Sequence, residues 1–153
     1  ILTVWIYTRI KKLEFFKTAD ILVLGLPMAQ AIGRWGNFIN GEAHGGPTNL
    51  PWAILVDGQR VHPTFLYESV WDWLIFIYII MIRKNKKYEG QLLVDYIFLY
   101  SLGRFFIEGL RTDSLMLGPI RMAQLISLVG ILVALVVRYF LLKRKALEKE
   151  SGK

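Results

Sequence analysis

The chain has 153 residues, 54% hydrophobic and 20% charged, and its 19 basic and 12 acidic residues leave a formal net charge of +7. The apolar share excludes a disordered chain, and the absence of cysteine excludes a disulfide scaffold and a thiolate metal site. A basic excess suits nucleic acid, a membrane surface or a small anion, and only the positions of the charges choose among these.

The sequence opens at Ile1 inside an apolar run whose basic residues follow rather than precede it, the reverse of a signal peptide. Residues 1–8 read as the end of a helix that starts upstream, so the sequence is expected to be the C-terminal part of something longer. Further apolar stretches occupy 21–32, 70–82, 92–107 and 115–137. A bilayer core of about 30 Å needs roughly 20 mostly apolar helical residues. Only the last stretch is clearly long enough, and Gly118-Pro119-Ile120-Arg121 interrupts its start. The others are short or carry Asp72, Asp95 or Arg104, and become adequate if their polar side chains face protein rather than lipid. The expected fold is an all-α polytopic integral membrane protein, a single membrane domain over 1–153. It has about four complete transmembrane helices plus the end of a fifth. The segments are a helix end at 1–8, spans at 18–35, 67–82, 91–110 and 117–142, an extracytoplasmic loop over 36–66 and a cytoplasmic tail over 143–153. Within the loop, residues 52–56, Asp57-Gly58 and 59–61 read as a small hairpin. The competing reading, a soluble protein with buried core helices, is less compatible with the charge placement.

All ten lysines fall in alternate connections: Lys11, Lys12 and Lys17, then Lys84, Lys86 and Lys87, then Lys143, Lys145, Lys149 and Lys153. The intervening connections carry arginine only. This is the positive-inside asymmetry, and it predicts a cytoplasmic C-terminus. The lysines are orientation signals and contacts to membrane lipids. The tail shows no groove-reading or stacking element, so nucleic acid is not an expected partner.

Arg34, Arg104, Arg111 and Arg121 lie on the other side, in or beside apolar segments. A charge at such a place is a functional hypothesis by default. Arg104, Glu108 and Arg111 at i, i+4 and i+7 share one helical face, with Tyr100 one turn earlier. Arg104 and Glu108 form a self-satisfying ion pair on one reading, but Arg111 leaves the group net positive. Arginine's planar fork binds phosphate bidentately, so the expected site is an anion pocket near the outer leaflet. A second cluster runs from Gly33 to Gly45. Its glycines admit close backbone approach, Arg34 supplies charge, Asn37 and Asn40 supply hydrogen bonds, and Glu42 adds a carboxylate. A third cluster is His62-Pro63-Thr64-Phe65-Leu66-Tyr67-Glu68. His62 reads either as a general base or, with Glu68, as a tie between the loop and the helix end. No Gly-x-Ser-x-Gly, phosphate loop or His-Glu-x-x-His is present, and two histidines without an Asp-rich cluster give no expectation of a metal.

Together, Gly33-Arg34-x-Gly36-Asn37-Phe38-x-Asn40-x-Glu42, His62-Pro63-Thr64-x-Leu66-Tyr67-Glu68 and Gly103-Arg104-Phe105-x-x-Glu108-x-x-Arg111 resemble the prolipoprotein diacylglyceryl transferase family of bacterial inner membranes. The resemblance covers most of the chain. It implies transfer of the diacylglyceryl group of phosphatidylglycerol to the lipobox cysteine thiol of a preprolipoprotein signal peptide. The product is a thioether, glycerol phosphate leaves, and no cofactor is needed. It places Arg34, Asn37 and Gly45 on the family's signature and essential positions, and Arg104 and Tyr100 on its membrane-embedded essential pair. Glu108 and Arg111 then support Arg104, while Arg34 and Arg104 hold the headgroup phosphate. Asn37, Asn40 and Glu42 position polar groups and the loop, and His62, Tyr67 and Glu68 join the substrate-binding set. The family's essential His-Gly motif and an earlier essential tyrosine are not in these residues. The base role is therefore not carried to His62, and these 153 residues alone are not expected to be active. The readings from other classes are a different phospholipid enzyme, such as an alcohol phosphatidyltransferase, and a transporter or phospholipid-binding subunit with an arginine anion site. The first lacks its aspartate-rich motif here, and the second lacks visible repeats.

Overall fold

The structure is a computed structural model that describes residues 2–42, 44–112 and 114–151. Among the described residues there are six helices and two small hairpins: α1 (Leu2–Lys11), α2 (Phe15–Val23), α3 (Leu26–Ile39), β1 (Ile54–Val56), β2 (Gln59–Val61), α4 (Thr64–Ile82), α5 (Gln91–Glu108), β3 (Met116–Leu117), β4 (Ile120–Arg121) and α6 (Met122–Ser151). α4 and α6 are each long and apolar enough to cross a membrane. At 1.5 Å per residue they measure roughly 28 Å and 45 Å. α2 and α3 pass the same test only as a pair, bent by 43°.

The bend falls within the span expected at 18–35 and divides its helix in two. Pro27 sits in the first turn of α3. It has no N–H to donate, and its ring crowds the carbonyl four residues back, which is that of Val23, the last residue of α2. The helix therefore stops and restarts in a new direction. α5 fits by length, but it carries Asp95, Arg104 and Glu108. It is tolerated among the other helices because Asp95 and Glu108 are buried in protein.

Contacts fix the packing order. α3 and α5 run in the same sense: Tyr96 Oη donates to Gln30 Oε1 at 2.6 Å, and Arg34 Nη2 donates to Tyr100 Oη at 3.1 Å. α4 runs against α5, with Trp71 Nε1 donating to the Leu99 carbonyl at 2.9 Å and Tyr78 Oη to Asp95 Oδ2 at 3.1 Å. α6 runs against α5, and Gln124 Nε2 donates to the Phe105 carbonyl at 3.1 Å. Small residues let these last two helices approach: a Cβ built on Gly130 would lie 2.4 Å from Ser101 Oγ. The apolar centre is formed by Val23, Ile75, Ile79, Leu92 and Tyr96.

Polarity is reversed relative to a soluble bundle. Asp20, Thr64, Glu68, Ser69, Asp72, Asp95, Ser101, Glu108 and Ser127 are buried, while Ile126, Leu132, Val136 and Phe140 of α6 and Leu74, Ile77 and Met81 of α4 are exposed. Lipid explains an apolar exterior that water would penalise. The structure is thus that of a mostly helical membrane protein.

The lysine-bearing segments meet at one end. Lys86 Nζ lies 3.1 Å from Asp20 Oδ2, and Lys145 Nζ donates to the Lys87 carbonyl. Asp20 also accepts the N–H groups of Gly90 at 2.9 Å and Leu93 at 3.0 Å. A side chain on α2 thereby satisfies two of the donors at the start of α5.

The other end carries the hairpins. β1 and β2 pair Ile54 with Val61 and Val56 with Gln59. Asp57 and Gly58 take φ of 48° and 77°, the pair of positive values a type I′ turn needs. The hairpin is shorter at its start than the expected 52–56. β3 and β4 form a second hairpin where only an interruption was expected, with Gly118 at φ 61° in its turn.

Candidate anion site at the end of the bundle

The site is built where α3, α4 and α5 come together. α3 presents Arg34, α4 presents Glu68 and Asp72 one turn apart, and α5 presents Tyr100, Arg104 and Glu108 at four-residue spacing. Arg111 follows just beyond α5.

Glu68 is the hub. Its Oε2 lies 2.7 Å from Arg34 Nε. Its Oε1 accepts from Arg104 Nη1 and lies 3.7 Å from Arg111 Nη1. Glu108 forms the second layer, with Oε2 at 2.7 Å from Arg104 Nη2 and 3.9 Å from Arg111 Nε. Tyr100 stacks on Tyr96 at 5.7 Å, which holds its hydroxyl for Arg34. Arg121, at the end of β4, donates to the Glu108 carbonyl and so ties the second hairpin to the C-terminal end of α5. Glu68 is 5% exposed, while Arg34 and Arg104 are 19% and 20% exposed. The carboxylates lie inside and the guanidiniums reach the surface of the cluster.

Two negative charges against three positive ones leave one unbalanced positive charge before Asp72 is counted. Asp72 is 2% exposed. It lines a space of about 10 Å³ together with Arg34, Glu68, Trp71, Tyr100, Arg104 and Ile107. That volume suits a single water-sized group.

The expected ion pair of Arg104 with Glu108 is present, but it is one edge of a larger network. Glu68 does not tie the loop to the helix end with His62, as one reading had it. It turns into the bundle, and the partner of His62 is Tyr67, whose hydroxyl lies 3.3 Å from His62 Nδ1 and accepts from Trp52 Nε1 at 2.9 Å.

Gly45 is placed by packing rather than by chemistry. Its N–H donates to the His62 carbonyl at 2.8 Å, and it bridges to Arg111. A Cβ there would meet His62 Cβ at 2.6 Å and the Leu110 carbonyl at 2.9 Å. The loop thus reaches the arginine cluster through backbone that only glycine fits. Asn37 is half-buried and its carbonyl accepts the Glu42 N–H at 2.9 Å, whereas the side chains of Asn40 and Glu42 are exposed. Asn40 and Glu42 therefore stand apart from the buried network.

Asp72 is the site residue the sequence reading passed over, although a carboxyl one turn after Glu68 on an apolar helix was a usable signal. Among the described residues no three His, Asp or Glu side chains are grouped to hold a metal ion.

The family model described as prolipoprotein diacylglyceryl transferase matches residues 1–140. A phosphatidylglycerol–prolipoprotein diacylglyceryl transferase of Clostridioides difficile is 67% identical over 144 residues, covering 94% of this chain and 58% of the relative. Proteins of the same name from Finegoldia magna and Clostridium botulinum are 48% and 46% identical, and the matches cover 99% and 95% of this chain and 61% of each relative. The chain thus spans about three-fifths of the length of the curated relatives it matches. With most of its residues inside that match, the chain belongs to the prolipoprotein diacylglyceryl transferase family.

Proposed function

We propose that the protein carrying this chain transfers the diacylglyceryl group of phosphatidylglycerol to the lipobox cysteine of a preprolipoprotein, and that this chain holds the lipid phosphate. The observation that carries the reading is the convergence of Arg34 from α3 with Arg104 and Arg111 from α5 and its C-terminal end on the single buried carboxylate of Glu68. Held together this way, the guanidiniums are oriented before the substrate arrives. In the reaction the thiol sulfur supplies the electron pair of the new C–S bond. The pair of the broken C–O bond leaves on the phosphate, and the thiol proton is released. The phosphate passes from one negative charge as a diester towards two as a monoester. Preorganised donors around that developing charge lower the barrier most when they need not reorient. Arg34 and Arg104 contact the phosphate, Tyr100 orients Arg34, Glu108 holds Arg104, and Arg111 supports both carboxylates that Arg104 shares with it. Asn37, Gly45, His62 and Tyr67 shape the loop above it, and Asn40 and Glu42 face the incoming peptide.

The same reading gives a topology. The α2–α3 pair is one broken span, and α4, α5 and α6 are three more. The lysine-bearing end is cytoplasmic, the hairpin end faces outward, and the membrane is the bacterial inner membrane. A reporter fused after Lys153 is expected to read as cytoplasmic, and an outside signal overturns the orientation.

The activity test uses a transferase of the relatives' full length carrying this sequence, with phosphatidylglycerol and a lipobox peptide. Addition of one diacylglyceryl mass to the peptide is expected. A folded protein that adds none sinks the reading. Arg104→Lys keeps the charge and loses the fork, and its activity is expected to fall by on the order of a hundredfold, the effect of removing one charge-stabilising donor. Unchanged activity refutes bidentate phosphate binding.

A further inference from the structure

Asp72 has a feature the anion site does not use. It is almost wholly buried on α4, and its Oδ2 has no hydrogen-bond partner among the described residues. It faces the same small space as the Arg34, Arg104 and Tyr100 side chains. A buried carboxyl oxygen left without a donor is costly, and packing has not removed it. The three arginines already have carboxylate partners in Glu68 and Glu108, or a hydroxyl partner in Tyr100. The open acceptor is therefore left for a donor that arrives with the ligand.

We propose that Asp72 Oδ2 accepts a hydrogen bond from a headgroup hydroxyl of the phospholipid, making it a specificity-determining residue for polyol-bearing donors. This rests on the phosphate-binding role given to the arginines above. A phosphodiester with a glycerol headgroup offers both halves of the match: acceptor oxygens for the guanidiniums and hydroxyl donors for the carboxyl. The space of about 10 Å³ admits one hydroxyl oxygen and excludes a bulky substituent. A site with a buried acceptor discriminates against ligands that lack the donor, because the acceptor then stays unpaired.

The test is an internal competition in the full-length protein. Phosphatidylglycerol with deuterated acyl chains is mixed with an equal amount of unlabelled phosphatidylmethanol. The second lipid carries the same phosphodiester charge and a similar leaving group but has no headgroup hydroxyl. The mass of the diacylglyceryl group on the lipobox peptide reports which lipid was used. Wild type is expected to prefer phosphatidylglycerol by on the order of tenfold, the worth of one hydrogen bond to a buried charged or polar group. Asp72→Ala is expected to bring the two donors to parity. Asp72→Asn, which keeps the shape and a weaker carbonyl acceptor, is expected to retain part of the preference and covers the case in which the alanine variant does not fold. Equal use of both lipids by wild type overturns the proposal, as does a full preference in both variants. Transfer from neither lipid by folded wild type defeats the anion-site reading instead, so the two failures are separable.

Discussion

Replacing Glu68 by glutamine removes one negative charge and almost no volume. In the native site Glu68 Oε2 is 2.7 Å from Arg34 Nε, and Oε1 serves Arg104 and, at 3.7 Å, Arg111. The amide keeps one acceptor oxygen but turns an NH2 group towards guanidiniums, which have nothing to accept with. Removing one partner of a buried ion pair costs roughly 3–5 kcal/mol. Arg34, Arg104 and Arg111 keep 19%, 20% and 12% side-chain exposure and so recover some hydration, which places the expected loss near the lower bound, about 3 kcal/mol. For a chain of this size that is on the order of 10 °C in Tm, read by intrinsic tryptophan fluorescence of the full-length protein in detergent. The double variant Glu68→Gln with Arg34→Gln is expected to lose less than the sum of the two single losses, because the second change removes a charge the first left unpaired. A Glu68→Gln Tm within about 2 °C of wild type refutes the claim that this carboxylate holds the cluster together.

Two further substitutions probe the ends of the bundle. Gly45→Ala forces a methyl to within 2.6 Å of His62 Cβ and 2.9 Å of the Leu110 carbonyl. It is expected to cost about 1–3 kcal/mol and to speed proteolysis of the loop, and unchanged cleavage counts against the packing role. Asp20→Ala leaves the Gly90 and Leu93 N–H groups without their acceptor and Lys86 with Glu89 as its remaining carboxylate. The expected cost is about 2 kcal/mol, with faster hydrogen exchange confined to the first turn of α5, and protection unaltered there contradicts the cross-helix cap.

What was legible in the sequence was local. Asp57-Gly58 announces a type I′ turn because few residues accept two positive φ values in succession, and the turn is there. Arg104 and Glu108 meet because four residues is one helical turn. Pro27 was a local signal for the break before α3, masked by the apolar stretch 21–32 around it. β3 and β4, at two residues each, are too short for any alternation to register. Glu68 was the hardest case. Its partners are distant in sequence, 36 residues away for Arg104, and nothing at positions 62–68 indicates that Tyr67 rather than Glu68 is the one that turns towards His62. Asp72 looked like a flaw in a membrane span because an isolated carboxyl is one. It reads as part of a site only once α3 and α5 are seen to bring arginine and tyrosine to the same face of α4.

Because the contacts that hold the arginines also hold the helices, lost activity in a Glu68 or Glu108 variant does not by itself assign a role. Tyr100→Phe separates the two. It deletes the hydroxyl that accepts from Arg34 Nη2 at 3.1 Å and keeps the ring stacked on Tyr96 at 5.7 Å. Arg34 retains its 2.7 Å pair with Glu68, so the network stays closed. The expected stability loss is about 1.5 kcal/mol, the low end for a hydrogen bond to a charged group, half that of Glu68→Gln. The effect on transfer is expected to be larger than that on stability. The guanidinium keeps one anchor and can rotate about it, and a phosphate needs both nitrogens of the fork aligned as its charge grows. A tenfold or greater fall in kcat/KM for phosphatidylglycerol, with Tm lowered by only a few degrees, is the outcome that assigns Tyr100 to orienting Arg34. A loss of Tm as large as that of Glu68→Gln would instead make the hydroxyl part of the scaffold, and full activity would mean that Glu68 alone fixes the fork.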